Sequence, residues 1–123
     1  MGNKGFKDLV VWQRAKDLAV KIYRVTENGS MGQDFGLRDQ IRRSAVSIAS
    51  NLAEGDERDT DKEAVRFFYV AKGSAAELRT QIQIASEAGR LEKTLYGDLD
   101  SECEQLGKMI GSLIRSRRRS SRP

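Results

Sequence analysis

The sequence predicts an all-α fold, an antiparallel up-down-up-down four-helix bundle. Three observations predict it. Apolar residues recur at steps of three and four along four segments, the spacing that gathers them on one helix face. No segment sustains the apolar–polar alternation of a half-buried strand. The one proline among 123 residues is Pro123, so no internal position carries that helix breaker.

Each element has its own pattern and its own ends. The first carries Val11, Ala15, Leu18, Ile22 and Val25 on one face. Asn28-Gly29-Ser30-Met31-Gly32 has turn chemistry and no charge, which ends the first helix near Glu27. The second carries Leu37, Ile41, Ala45, Ile48 and Leu52. Asp34 is positioned to cap it, and Gly55 to close it in the left-handed conformation. The third carries Ala64, Phe67, Ala71, Ala75, Leu78, Ile82 and Ala85. Thr60-Asp61-Lys62-Glu63 opens it as a capping box, with the hydroxyl and the carboxylate each serving the other residue's amide; Gly89 ends it. The fourth carries Leu99, Cys103, Leu106, Ile110 and Leu113 and begins near Gly97 or Asp98. At ~1.5 Å per residue the helices are ~30–40 Å long. Short connections favour antiparallel neighbours. Residues 1–114 form the bundle and residues 115–123 an Arg-rich tail.

Some apolar residues exceed what one core stripe per helix uses. Trp12, Ala19 and Tyr23 make a second row on the first helix. Phe67, Phe68 and Tyr69 are consecutive and cannot all face one core; Met109 and Ile114 add to the fourth helix. Either the core face is wide with aromatic bodies at its rim, or a subunit interface covers the surplus. Closed homo-oligomers are common, which favours self-association. Gly73, Gly107 and Gly111 each cost a helix interior about 1 kcal/mol relative to alanine. Close approach of another backbone explains such glycines, whether from this chain or a second copy.

Composition excludes several kinds of chemistry. There is no histidine, so histidine acid–base catalysis and histidine metal sites are absent. The single Cys103 cannot form an internal disulfide, fits a reducing compartment, and falls on a core stripe as a small apolar residue. No apolar run approaches the ~20 residues of a membrane span, and Met1-Gly2-Asn3-Lys4-Gly5-Phe6 is no signal peptide; the expectation is a cytoplasmic chain. No Walker-type loop or Glu-x-x-His motif is present. The acidic stretch 56–61 lacks calcium-loop spacing and reads as a solvated loop leading into a helix N-terminus. The expectation is no metal, no cofactor and no catalytic activity.

Charge is distributed unevenly. Lysine and arginine total 22 against 18 acids, net +4. Arg115, Arg117, Arg118, Arg119 and Arg122 lie in the tail, so residues 1–114 hold 17 basic and 18 acidic groups, net −1. The first and third helices are basic and the fourth is acidic until its tail. Arg38 and Arg42 stand one turn apart with Arg43 adjacent, while Arg66, Lys72 and Arg79 step by six and seven along the third helix, roughly on one side. Such groups serve salt bridges between helices or subunits, or, repeated around an oligomer, a phosphate-binding surface.

Phe35-Gly36-Leu37-Arg38-Asp39-Gln40-Ile41-Arg42-Arg43-Ser44-Ala45-Val46-Ser47-Ile48-Ala49-Ser50-Asn51-Leu52-Ala53-Glu54-Gly55 resembles the signature of the four-helix-bundle proteins encoded in intervening sequences of bacterial 23S ribosomal RNA genes. The opening Phe6-Lys7-Asp8-Leu9-Val10-Val11-Trp12-Gln13-Arg14-Ala15 is similar to that family's start, and Arg66-Phe67-Phe68-Tyr69-Val70-Ala71-Lys72-Gly73-Ser74-Ala75-Ala76-Glu77-Leu78 to its third helix. The resemblance spans about residues 6–115. It departs at Asp56-Glu57, where small or aromatic residues are usual, and in a first loop without the usual proline. It implies an antiparallel bundle assembled as a homo-oligomer, commonly a pentamer, with no established catalytic activity. Similar bundles, the accessory proteins of diversity-generating retroelements, bind nucleic acid and a reverse transcriptase. The resemblance implies binding of RNA or DNA, with the family's basic positions at Arg38, Arg42, Arg43, Arg58, Arg66 and Lys72. The tail arginines Arg115, Arg117, Arg118, Arg119 and Arg122 add a mobile clamp to that reading. The alternative is a protein-interaction scaffold or accessory subunit, for example for a reverse transcriptase.

Overall fold

The computed structural model describes residues 5–120. A 3-10 turn, Gly5–Asp8, leads into α1 (Val10–Val25). It is followed by the short α2 (Gly29–Gln33), then α3 (Phe35–Asp56), α4 (Asp61–Glu87) and α5 (Lys93–Ser120). There is no strand among the described residues. The long helices form a bundle in which α1 lies against α3 and α5, α3 against α4, and α4 against α5. No helix of the described residues is long and apolar enough to cross a membrane.

Helical periodicity assigns the core. Ala15, Ile22, Ala45, Ile48, Leu52, Leu78, Leu99 and Ile110 have no exposed surface at all. On α4 the buried aromatic is Phe68, not the expected Phe67; the face runs Ala64, Phe68, Ala71 by steps of four and three. Both registers obey helical spacing, so the pattern alone could not separate them. On α5 the face likewise steps from Ile110 to Ile114, leaving Leu113 half-buried at the edge.

Three boundaries differ from expectation. Residues 28–32 hold a short helix rather than a turn, because buried Met31 anchors it to the core and Gly29 enters it at φ +71°. Gly55 does not close α3 in the left-handed conformation; it is buried inside the helix, where a Cβ would lie 2.7 Å from Phe68 Cε1. Its role is close approach, not backbone freedom. The last helix starts at Lys93, several residues before Gly97, because Glu92 serves its first turn: its carbonyl accepts from the Tyr96 amide at 2.9 Å. Other ends agree with the sequence. Asp34 Oδ1 accepts from the Leu37 amide at 3.3 Å, and Thr60 Oγ1 from the Glu63 amide at 3.2 Å. Gly89 adopts φ +77° just past α4. Only the Thr60 half of the expected capping box forms: the Glu63 carboxylate does not reach back to the Thr60 amide but turns to Arg66, at 3.3 Å.

Candidate nucleic-acid interface

The α3 arginines share a sequence cluster but divide their work. A helix C-terminus leaves carbonyls without intrahelical donors. Arg42 serves the end of α1: its Nη2 donates to the Tyr23 carbonyl at 3.2 Å and its Nε to Thr26 Oγ1 at 2.9 Å. Its guanidinium covers the Tyr23 ring at 4.5 Å. Arg38 serves α2 in the same manner, donating to the Gly32 carbonyl at 3.2 Å, pairing with Asp39 at 3.1 Å and lying 4.8 Å from the Phe35 ring centre. Arg43 is exposed and has no ion pair or hydrogen bond among the described residues. It stands between two shallow grooves, one beside Tyr23 and Val46, the other beside Glu77 and Gln81. Gln81 Oε1 is buried there without a hydrogen-bond partner among the described residues.

Around α4 the commitments are weaker. Arg58 pairs with Glu54 at 3.5 Å and covers the Phe67 ring at 4.4 Å. Arg66 is 74% exposed and its pairing with Glu63 is an exposed one of small energetic weight. Lys72 is exposed with no charged partner among the described residues.

The tail continues α5 as helix through Ser120, and its residues are not equivalent. Arg117 Nη2 donates to Asp56 Oδ1 at 2.6 Å, Nη1 lies 3.7 Å from Asp61 Oδ1, and the guanidinium covers Phe68 at 5.4 Å. The acids Asp56 and Asp61, expected in a solvated loop, are thus drawn onto this cation. Arg118 covers Tyr69 at 5.2 Å, and among the described residues Arg115 reaches only Ser112 Oγ, at 3.2 Å. Arg119 is exposed with no partner among the described residues. Arg122 lies outside the described residues. Between α4 and the end of α5 a groove of about 600 Å³ is lined by Asp61, Lys62, Val65, Arg66, Tyr69 and Arg118. Sequence reasoning missed both the Arg117 clamp and Tyr69. A signal existed for the first: residue 117 continues the core face through Ile110 and Ile114.

Two of the four acids of α5, Asp100 and Glu102, pair with cations of neighbouring helices. Asp100 holds Arg79 through two hydrogen bonds, at 2.8 and 3.1 Å, and that bond holds the guanidinium pKa above its ordinary value. Glu102 pairs with Lys21 at 2.7 Å, and Gln105 accepts from Arg14 at 2.7 Å. Burial, with Asp100 nearby, pushes the Cys103 thiol up to about 12, which keeps it protonated and unreactive at neutral pH. Among the described residues no cluster of acids and cysteine is placed to hold a metal ion.

A second, apolar groove runs between α1 and α3, lined chiefly by Trp12, Val20, Tyr23, Val46, Ala49 and Ala53. Val20, Tyr23 and Val46 remain 40–46% exposed. This is where the surplus row of the first helix lies.

Residues 7–112 match the family described as 23S rRNA-intervening sequence protein. A crystal structure of a protein of unknown function from the S23 ribosomal protein family of Bacteroides thetaiotaomicron is similar, with a TM-score of 0.79 and 21% identity over 85% of this chain and 98% of that one. That likeness speaks for the fold. No curated protein matches the chain.

Proposed function

The chain belongs to the 23S rRNA-intervening sequence protein family, and from that premise we propose that it is a noncatalytic, homo-oligomeric four-helix bundle that binds RNA or DNA through phosphate contacts. The observation that carries this reading is the division among the arginines. Arg43, Lys72 and Arg119 meet no acid among the described residues, and Lys62, Arg66 and Arg118 gather around one groove. Arg43, Lys72 and Arg119, exposed and without an acidic partner among the described residues, suit phosphates, whose counterions they release.

Supporting features concern assembly. The helix pairings favour an antiparallel up-down-up-down order, since Arg14–Gln105 and Lys21–Glu102, like Arg79–Asp100 and Arg117–Asp61, match rising numbers on one helix with falling numbers on the other. Among the described residues a Cβ at Gly73 or Gly107 would meet nothing within 4 Å, so no contact there requires those glycines. With the exposed groove between α1 and α3, this supports burial against further copies, and the family resemblance favours a pentamer. The expected place of action is the cytoplasm.

Gel shifts at low salt with structured RNA, single strands and duplex test the reading. Binding that weakens as salt rises is expected, with a slope near −0.9 per phosphate contacted on duplex DNA. Absence of binding to all three sinks it. The tail contribution is measured by Arg115→Gln, Arg118→Gln and Arg119→Gln together, leaving Arg117 to its structural bonds. A smaller slope is expected. A monomer in sedimentation at micromolar concentration counts against the repeated surface.

A second reading is a protein-interaction scaffold or accessory subunit, for example for a reverse transcriptase. Val70 and Ile84, 53% and 54% exposed on α4, favour it. Capture of a protein partner that survives nuclease treatment supports that alternative.

A further inference from the structure

We propose that the groove between α4 and the end of α5 is a stacking site for a base of single-stranded nucleic acid, with the Tyr69 ring as its platform. This inference rests on the nucleic-acid reading and narrows it to one place and one strand state.

Tyr69 follows Phe68, which is wholly buried, so the helix turns the next ring outward. The ring stays 44% exposed although the Arg118 guanidinium lies 5.2 Å from its centre. An aromatic face flanked by cations is the recurring design of single-strand sites, where bases stack and the backbone follows the charge. Lys62 and Arg66 supply that charge along the same groove. Lys62 has no ion pair among the described residues, and the Arg66–Glu63 pair is exposed enough to be exchanged for a phosphate. The one acid in the lining, Asp61, is turned to Arg117 at 3.7 Å, which offsets its repulsion. The groove's volume of about 600 Å³ falls within the ~300–1,000 Å³ of ordinary ligand clefts.

The four other aromatic–arginine pairs are less suited. Phe68 under Arg117 is wholly buried and Phe67 under Arg58 half-buried, while Arg42 over Tyr23 and Arg38 over Phe35 bond backbone carbonyls at helix ends. A duplex offers phosphates to the same cations but no base face, because its bases are stacked and paired. The groove therefore selects unpaired strands.

Fluorescence anisotropy of a short labelled oligothymidylate and of a duplex of equal length, at low salt, tests this with the full chain. Tyr69→Ala is expected to weaken single-strand binding by about five- to a hundredfold and leave duplex binding unmoved. Tyr69→Phe is expected to keep wild-type affinity, which separates loss of the ring from loss of the fold. Wild-type single-strand affinity in Tyr69→Ala, or an equal loss on duplex, overturns the stacking site while the broader binding reading stands. Failure of the wild type to bind either nucleic acid overturns both. Displacement of the oligonucleotide by polyglutamate as effectively as by unlabelled oligothymidylate would also overturn it, in favour of an acidic protein surface.

Discussion

Arg117 Nη2 lies 2.6 Å from Asp56 Oδ1, so the last turns of α5 are fastened to the last turn of α3. The Arg117 side chain is 24% exposed and that of Asp56 13%, which makes this pair less open to water than Arg38–Asp39 or Arg79–Asp100. The same guanidinium reaches toward Asp61 in the first turn of α4 and lies over Phe68. Gly55 meets that phenyl ring from α3. Three helices therefore converge at one end of the bundle on a single ring and a single cation. Within the arginine-rich segment Arg117 is thus a support, whereas exposed Arg119 has no partner among the described residues.

Arg117→Ala should destabilise the chain by about 1–2 kcal/mol, the range of a charge-assisted hydrogen bond discounted for partial exposure. Arg119→Ala, which removes the same charge without a partner, should stay within about 0.5 kcal/mol of wild type. Urea unfolding midpoints for the two variants decide it. Equal midpoints would mean that the clamp contributes nothing.

The glycines should answer in opposite directions. Gly55→Ala forces a methyl group to 2.7 Å from Phe68 Cε1, against a ring that is wholly buried and cannot swing away. A loss of about 1–3 kcal/mol is expected, as for other overpacked cores. Gly73→Ala finds open space and should gain up to about 1 kcal/mol of helix propensity. Thermal unfolding reads both. If Gly73 faces a second copy, the same substitution also shifts sedimentation toward smaller species.

These examples show what was legible. Spacing by three and four placed most of the buried apolar residues, because burial of one face is what that spacing encodes; Ala19, Met31, Phe68, Leu91 and Ile114 lie outside the four stripes. Caps at Asp34 and Thr60 were readable for a similar reason: their chemistry is local. Phe68 was not separable from Phe67, since the choice depends on Gly55 and Arg117, which are distant in sequence. The site was read least well. A count of arginines treats Arg42 and Arg43 alike, whereas only the fold brings the end of α1 under Arg42. Tyr69 passed as a surplus aromatic until α5 laid Arg118 across it.

The buried Cys103 thiol ties stability to pH. Burial raises its folded pKa from an ordinary 9.0 to about 12. Between those values the folded chain keeps the thiol proton and the unfolded chain has released it. The unfolded state then binds fewer protons, so stability is fully present below about pH 9 and falls as pH rises, by up to about 1.4 kcal/mol per unit. Tyrosines and lysines also titrate there, so the informative quantity is a difference. Unfolding free energy should fall more steeply with pH in wild type than in Cys103→Ala over that window. Parallel curves would show that the thiol is not protected.

Arg42 and Arg43, adjacent in sequence, should separate stability from binding. Arg42→Ala removes two hydrogen bonds at the end of α1 and the cover over Tyr23, so about 1–2 kcal/mol of stability should go. Its guanidinium is already engaged, so the salt dependence of nucleic-acid binding should hardly change. Arg43→Ala touches no bond among the described residues and should leave stability within about 0.5 kcal/mol of wild type. If its free guanidinium meets a phosphate, the log–log salt slope on duplex DNA should shrink by ~0.9. Urea titrations and binding isotherms at several salt concentrations measure both quantities on the same two variants. A smaller slope in Arg42→Ala together with an unchanged one in Arg43→Ala would reverse the assignment, and would mean that the end of α1 opens when nucleic acid binds.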